Sequence, residues 1–364
     1  MEILKRSGNI NGMSIETNLN FIKTRLIVFV VYFLLSFPSF YFVYKFGDPT
    51  IVAHDFFQYY RLYNNWDWAD VNAPFNMRLI STFFVFLFNK LGLVYNTETV
   101  FDKYVAYGFD KGVYFNAILF NCLCVAATST VIFQTIKKHL KDNLLAIASG
   151  MIYLLGFGTL FFELMPCTDA FSILLFATVW YAYLIKSQWI YLLLIAAIFQ
   201  REYILMVMPL IALVDYFKTR DTYFVIVLLT GTISFLCFFW LRSTLFYTPA
   251  LSFQTQPKAL FYALTHSTFP IVPFIKQTLM TLNIFILYLF IIFYKWKNNM
   301  KFNSGAFVKF MLLFVQLIVV SFAAVLGNNA GRYFYILIPF VIFELAGEAQ
   351  SLLIKPESQS HLDN

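Results

Sequence analysis

The chain has 364 residues, of which 60% are hydrophobic and only 12% charged, and its formal net charge is +7. A soluble domain carries roughly 25% charged residues, so the composition argues against an ordinary soluble protein. It also argues against nucleic-acid binding, because the Lys and Arg side chains fall mostly in short loops between apolar runs, where membrane orientation explains them. The sequence therefore predicts an all-α polytopic membrane protein whose first partner is the lipid bilayer.

About ten membrane-spanning helices are predicted in chain order. They are 26–45, 113–136, 143–162, 168–185, 188–199, 203–217, 222–241, 271–294, 306–326 and 333–353. The fifth and sixth are short because one longer helix would bury the polar triplet Gln200-Arg201-Glu202 at mid-membrane. The apolar segment 77–91 is too short for a further span, so an interfacial or re-entrant helix is predicted there.

These helices form one integral membrane domain over residues 1–353, followed by a polar tail at 354–364. The domain has a long first outer loop at 46–112 and a second outer loop at 242–270. With ten spans, the basic side chains of the termini and short loops all fall on one side, and the positive-inside rule assigns that side to the cytoplasm. They are Lys5, Arg6, Lys23, Arg25, Lys137, Lys138, Lys141, Lys186, Lys218, Arg220, Lys295, Lys297, Lys301 and Lys355. Both termini are then cytoplasmic.

Nearly every ionisable residue that looks out of place in so apolar a chain falls on the opposite side. Those residues are His54, Asp55, Arg78, Glu163, Asp169, Arg201, Glu202, Arg242, His266 and Arg332. Charged side chains are expensive near a membrane and tend to mark functional sites. The sequence therefore predicts chemistry or recognition on the extracytoplasmic face.

The first outer loop opens with the run HDFFQYY, which places Asp55 just after the first span. A carboxylate there can accept a proton from an acceptor hydroxyl, and the aromatic rings of Tyr59 and Tyr60 can stack on a sugar. The alternative is structural, with Asp55 capping a helix start and the tyrosines forming an interfacial belt.

Three arginines are candidates for binding an anion. Arg78 and Arg332 each begin an apolar helix, where a cation is unfavourable unless an anion lies nearby. Arg201 stands where two short helices meet, and its planar group suits a phosphate. Snorkelling into the headgroups is the alternative for Arg78, and pairing of Arg201 and Glu202 with neighbouring residues is the alternative there.

Two acids lie in the second outer hairpin. Glu163 ends an apolar span at the negative pole of a helix, so it is expected to face a cation or a ligand hydroxyl. Thr168 or Asp169 is a good N-cap for the next helix, which is the structural alternative for Asp169. A divalent metal held by such acids is a weaker alternative, because nothing fixes their spacing. The sequence predicts no cofactor.

Several short segments, in this order, resemble bacterial integral membrane glycosyltransferases of the GT-C superfamily. They are HDFFQYY, APFNMRLIS, PCTDAFSILLF, QREYILMVMPL and GRYFYILIPF, and together they run through most of the chain. The chain departs from that pattern in two respects. It lacks the soluble C-terminal domain of larger members, and the usual paired acids of the first loop are reduced to Asp55 beside His54.

The resemblance implies a transferase of the bacterial inner membrane that uses a polyprenyl-phosphate-linked sugar on the outer face. It implies Asp55, helped by His54, as the base, and Arg332 with Arg201 or Arg78 as ligands of the donor phosphate. Glu163, Asp169, Glu202, Tyr59 and Tyr60 are expected to contact the substrates. The acceptor would be a glycan, a lipid or a protein. Two alternatives stay open: a polysaccharide polymerase of the O-antigen or capsule type, and a transporter or flippase of lipid-linked sugars.

Overall fold

The fold is seen in a computed structural model that describes residues 15–49, 55–68, 71, 75–245, 265, 283–324 and 335–353. The described chain contains thirteen α-helices and no strand. They are α1 (Ile15–Phe46), α2 (Asp55–Asn65), α3 (Leu79–Asn89), α4 (Asp102–Val105), α5 (Lys111–Leu140), α6 (Asn143–Leu154), α7 (Asp169–Leu184), α8 (Trp189–Ile198), α9 (Glu202–Thr219), α10 (Thr222–Thr244), α11 (Asn283–Lys297), α12 (Ser304–Ala324) and α13 (Ile338–Leu353). A short 3₁₀ turn, Phe75–Met77, precedes α3, and a π-helical turn, Thr159–Glu163, follows α6.

The prediction of an all-α protein is confirmed, and each predicted span overlaps one of these helices. The predicted break at Gln200 separates α8 from α9, and the predicted short helix of the first loop is α3. Within the described part of the chain, three helical stretches are long and apolar enough to cross a membrane by length and composition: Lys23–Phe46, Lys111–Leu140 and Thr222–Thr244. The other predicted crossings, and the count of ten, stay predictions.

Two of the connections are tight turns with the same local chemistry. Lys141 ends α5 and Arg220 ends α9, and both adopt the left-handed conformation (φ 56° and 57°) that stops a helix. The next residue is aspartate in each case. Asp142 accepts a hydrogen bond from the Leu145 amide (3.0 Å), and Asp221 accepts one from the Tyr223 amide, so each caps the following helix. The turns make α5–α6 and α9–α10 helical hairpins.

Helix α5 is the centre of the bundle, with α1, α3, α6, α7 and α13 packed around it. On the α1 side, the Ser36 hydroxyl and the Cys122 thiol are 3.0 Å apart. An aromatic core lies at the N-terminal end of α5, where Phe101 and Tyr114 stack with ring centroids 4.1 Å apart. This core holds α2 against the N-terminal end of α5, because Phe56 of α2 contacts both rings edge-on.

Helices α7 and α9 run in the same direction, and polar residues gather at both ends of the pair. Asp169 begins α7 and pairs with Arg201, which immediately precedes α9. Near the other ends of these helices, the Tyr183 hydroxyl donates to Asp215 (2.6 Å), which also pairs with Lys309 of α12. At 1.5 Å per residue these two ends lie about 20 Å apart. We call the first the Arg78 end, because the contacts of Arg78 described below lie there. We call the second the lysine end, after Lys309.

Candidate functional site

The candidate site is built on the hairpin between the π-helical turn and α7. The Asn121 side-chain amide, on α5, donates to the main-chain oxygens of Met165 (2.5 Å) and Cys167 (3.0 Å). Both bonds are buried, so they fix the hairpin against α5. Thr168 comes next and faces α2 and α3, as the following contacts show.

Arg78 lies at the centre of the site and is only 7% exposed. Its guanidinium donates to the Tyr59 hydroxyl and, at 3.4 Å, to the Thr168 hydroxyl, which in turn donates to Tyr59 (3.2 Å). The Tyr59 and Phe75 rings both lie within cation–π range of the guanidinium, with centroids 5.8 Å away. The chain therefore holds this cation inside the protein rather than extending it to a lipid headgroup, which is the opposite of the snorkelling alternative.

The main-chain amides at the N-terminus of α3 donate hydrogen bonds to neutral oxygens. The Ile80 amide donates to the Phe199 carbonyl (3.4 Å), and the Ser81 amide donates to the Gln200 side-chain oxygen (3.0 Å). Arg78 itself is the residue before α3. The sequence predicted an anion near Arg78 because of the positive N-terminus of α3. That N-terminus already has hydrogen-bond acceptors, so this reason for an anion is weakened. An anion at this site would have to be attracted by the guanidinium and the groups around it.

Gln200 joins the three segments that form the site. Besides accepting from Ser81 of α3, its amide nitrogen donates to the Thr168 carbonyl (3.2 Å) and to the Ser172 hydroxyl of α7 (3.0 Å). The side chain is 1% exposed. A fully satisfied buried amide of this kind fixes the relative positions of the elements that it connects. It therefore sets where Arg78 lies relative to the start of α7.

Asp169 and Arg201 form a buried ion pair in which the two side chains are 6% and 4% exposed. This is the pairing that the sequence left as the alternative to phosphate binding by Arg201. The predicted capping of α7 is not found, because Thr168 holds the cap position without a side-chain cap bond. Asp169 instead directs its carboxylate to Arg201.

Helix α2 contributes a stripe of three polar side chains at a spacing of four, Asp55, Tyr59 and Tyr63. Residues four apart lie on the same face of a helix. The Tyr59 and Tyr63 rings stack with their centroids 5.7 Å apart, and the Tyr59 hydroxyl accepts the hydrogen bond from Arg78. Burial raises the pKa of Tyr63 well above its usual value, so the phenol keeps its proton. The structure therefore brings the predicted base and the predicted phosphate ligand to one place.

Tyr63 is the residue of this site that the sequence reasoning missed. The signal is the spacing of four residues from Asp55 to Tyr59, which continues to Tyr63, whereas the run HDFFQYY that carried the prediction ends at Tyr60. Tyr60, which was predicted to contact substrate, faces elsewhere. Its hydroxyl accepts a hydrogen bond from the Asp110 amide (2.8 Å), and its ring packs on Phe109 with centroids 4.9 Å apart.

Glu163 forms a second buried polar group, distinct from the Arg78 contacts. It is fully buried and accepts hydrogen bonds from the Tyr153 hydroxyl and from the Thr159 hydroxyl (3.3 Å). The Thr159 hydroxyl lies 2.7 Å from that of Tyr335, before the start of α13. Among the described residues, the carboxyl thus faces hydroxyls of the chain itself, whereas the sequence led us to expect a cation or a ligand hydroxyl. Glu202, in the first turn of α9, is half-buried.

Three predicted residues, His54, His266 and Arg332, lie outside the described residues. Arg242 is in the last turn of α10 and half-buried. Within the described residues, no group of three or more His, Cys, Asp or Glu side chains comes together.

No family model, no curated protein and no solved structure matches this chain significantly.

Proposed function

We propose that this chain is a membrane glycosyltransferase that moves a sugar from a polyprenyl-phosphate donor to an acceptor on the extracytoplasmic face. One observation carries the proposal: Asp55 lies one turn before Tyr59 on the same face of α2, and the Tyr59 hydroxyl accepts a hydrogen bond from the buried guanidinium of Arg78. A cation for a phosphate and a base for a hydroxyl are the two groups that such a transfer needs. The resemblance of the sequence to GT-C enzymes points to the same chemistry.

The transfer would proceed by direct displacement. Asp55 accepts the proton of the acceptor hydroxyl while that oxygen forms a bond to the anomeric carbon of the sugar. The bond between the anomeric carbon and the phosphate oxygen breaks, and the lipid phosphate leaves with the electron pair. Arg78 stabilises the charge that develops on this leaving group through charge-assisted hydrogen bonds. The product has the inverted anomeric configuration.

The length of α5 supports the placement of this site at a membrane surface. Asn121 of α5 holds the hairpin of the Arg78 end, and the Leu140 carbonyl accepts a hydrogen bond from Gln350 at the other end. At 1.5 Å per residue the two positions are about 28 Å apart, close to the thickness of the hydrocarbon core. Lys137, Lys138 and Lys141 lie at the Leu140 end. The positive-inside rule then puts that end in the cytoplasm and the Arg78 end outside.

The test is a transfer assay with the purified full chain in proteoliposomes. The donors are undecaprenyl phosphates carrying tritiated glucose, galactose, mannose or arabinose, and the acceptors are envelope glycolipids and glycans from the producing organism. The wild type is expected to release undecaprenyl phosphate and add one sugar to an acceptor. Asp55→Asn keeps the shape of the side chain but cannot accept the proton, so transfer should fall by about 10²-fold or more.

Asp67→Asn is the matched control, since Asp67 is an exposed acid in the same outer loop. It should transfer at the wild-type rate. Wild-type protein that transfers from none of the donors, or an Asp55→Asn variant that is as active as Asp67→Asn, would contradict the proposal. A ladder of products in place of a single addition would assign the chain to a polymerase.

A further inference from the structure

The Tyr63 hydroxyl is a buried polar group without a hydrogen-bond partner in the described part of the chain. The residue is 0% exposed, so water does not satisfy the hydroxyl from outside. Buried polar groups in folded proteins are nearly always hydrogen-bonded, and an exception calls for a specific reason. A ligand that enters the site and supplies the missing partner is one such reason.

The position of the ring puts this hydroxyl among the groups of the Arg78 end. Tyr63 stacks on Tyr59, with ring planes 24° apart, and Tyr59 accepts the hydrogen bond from Arg78. Asp55 lies on the same face of α2, one turn before Tyr59. The unsatisfied group therefore lies beside the proposed phosphate-binding guanidinium and the proposed base.

Further unsatisfied atoms occur on either side of Arg78. The side-chain oxygen of Asn76 and the hydroxyl of Ser81 are buried and have no hydrogen-bond partner among the described residues. Asn76 belongs to the 3₁₀ turn before Arg78, and Ser81 to the first turn of α3 after it. Two further atoms with unmet hydrogen-bonding capacity thus lie within three residues of this arginine along the chain, as expected of a site that a polar ligand completes.

We infer that the Tyr63 hydroxyl donates a hydrogen bond to an oxygen of the phosphate that Arg78 binds, which makes it a specificity residue for a phosphorylated polyprenyl lipid. The inference rests on the proposed function and extends it to a residue with no assigned role. A phosphate offers only acceptors, and the neutral phenol and the guanidinium both offer donors. A lipid alcohol without the phosphate would offer no negative charge to the Arg78 guanidinium and no charged oxygen to the Tyr63 hydroxyl, so it should bind much more weakly.

Binding of tritiated undecaprenyl phosphate to the full chain in nanodiscs tests this assignment. The variant is Tyr63→Phe, which removes one oxygen and keeps the ring. The matched control is Tyr288→Phe, because Tyr288 on α11 is also fully buried and its hydroxyl also lacks a hydrogen-bond partner among the described residues. Undecaprenol and inorganic phosphate serve as competitors, and thermal unfolding of each protein without ligand is measured in parallel.

The wild type and Tyr288→Phe should bind undecaprenyl phosphate equally well, and undecaprenol should not displace it. Tyr63→Phe should bind about tenfold more weakly, the expected loss of one hydrogen bond to a charged oxygen. Its unfolding temperature should equal or exceed that of the wild type, because the variant removes an unsatisfied group. That combination separates a ligand contact from a structural role.

Three results would overturn the inference while leaving the proposed function in place: unchanged binding by Tyr63→Phe, an equal loss in Tyr288→Phe, or a lower unfolding temperature of Tyr63→Phe without ligand. Displacement by inorganic phosphate at the concentration of the lipid would assign the site to free phosphate and overturn the lipid specificity. A wild-type protein that does not bind undecaprenyl phosphate would instead contradict the proposed function itself.

Discussion

Replacing Arg201 by methionine is expected to destabilise the protein strongly, because it leaves the Asp169 carboxylate buried without its cation. The two side chains are 4% and 6% exposed, so water cannot take over the role of the guanidinium. Removing one member of a buried ion pair costs about 3–5 kcal/mol of folding free energy. The size of the effect follows from burial, and it is independent of any catalytic role of Arg201.

The assay is a double-mutant cycle that combines Arg201→Met with Asp169→Asn. Unfolding free energies are measured from tryptophan fluorescence in mixed micelles with an increasing fraction of a denaturing detergent. The double variant should recover about 2 kcal/mol or more of what Arg201→Met loses, since no carboxylate is then left unpaired. The reference cycle uses Lys186 and Asp221, a pair whose side chains are 54% and 33% exposed.

The reference pair should show a much smaller coupling, because exposed ion pairs are screened by solvent. If the coupling between Arg201 and Asp169 is no larger than that between Lys186 and Asp221, the ion pair does not stabilise the hairpin. The assignment of Arg201 to a structural pair would then be wrong. Phosphate binding by Arg201, as predicted from the sequence, would be the favoured interpretation.

Two further substitutions test the packing of Gly158 against Tyr335 and the ion pair between Lys295 and Glu348. Gly158→Ala should lower the unfolding free energy by about 1–3 kcal/mol, because its new Cβ would overlap the ring of Tyr335, which is 1% exposed. Lys295→Met should cost about 3 kcal/mol, because it leaves Glu348 buried without the lysine that now pairs with it. Both effects are measured in the same mixed-micelle unfolding assay.

Matched controls exist for both substitutions. Gly347 in α13 has open space around the position of a Cβ, so Gly347→Ala should be neutral or stabilising by about 0.5–1 kcal/mol. Lys297 is exposed on the same helix as Lys295, and Lys297→Met should change stability little. Equal losses in Gly158→Ala and Gly347→Ala would refute the close contact with Tyr335. Equal effects at the two lysines would refute the buried pair.

The positions of the helices could be predicted well because apolar runs and polar interruptions mark them directly. The triplet Gln200-Arg201-Glu202 predicted the break between α8 and α9, and the sidedness of the charges predicted that Arg78, Asp169 and Arg201 lie at one end. These predictions depend only on where a residue falls along the chain. The structure shows the three residues together.

The pairing of individual side chains could not be predicted. Helix α7 is apolar around its whole circumference, so no amphipathic pattern shows which face meets which neighbour. The sequence left open whether Arg201 binds phosphate or pairs with a neighbour, and the choice depends on the rotation that brings Asp169 beside it. Because the sequence does not give the rotation of each helix about its axis, it also could not show that Glu163 faces the Tyr153 and Thr159 hydroxyls.

Equilibrium binding of undecaprenyl phosphate to Arg78→Gln tests most directly whether the Arg78 end recognises a lipid phosphate. The control is Arg61→Gln, since Arg61 is an exposed arginine on the neighbouring helix α2. Arg78→Gln should bind at least tenfold more weakly than Arg61→Gln, and undecaprenol should bind the wild type and both variants equally poorly. Equal affinities of the two variants for undecaprenyl phosphate would contradict the assignment of this buried cluster to phosphate binding.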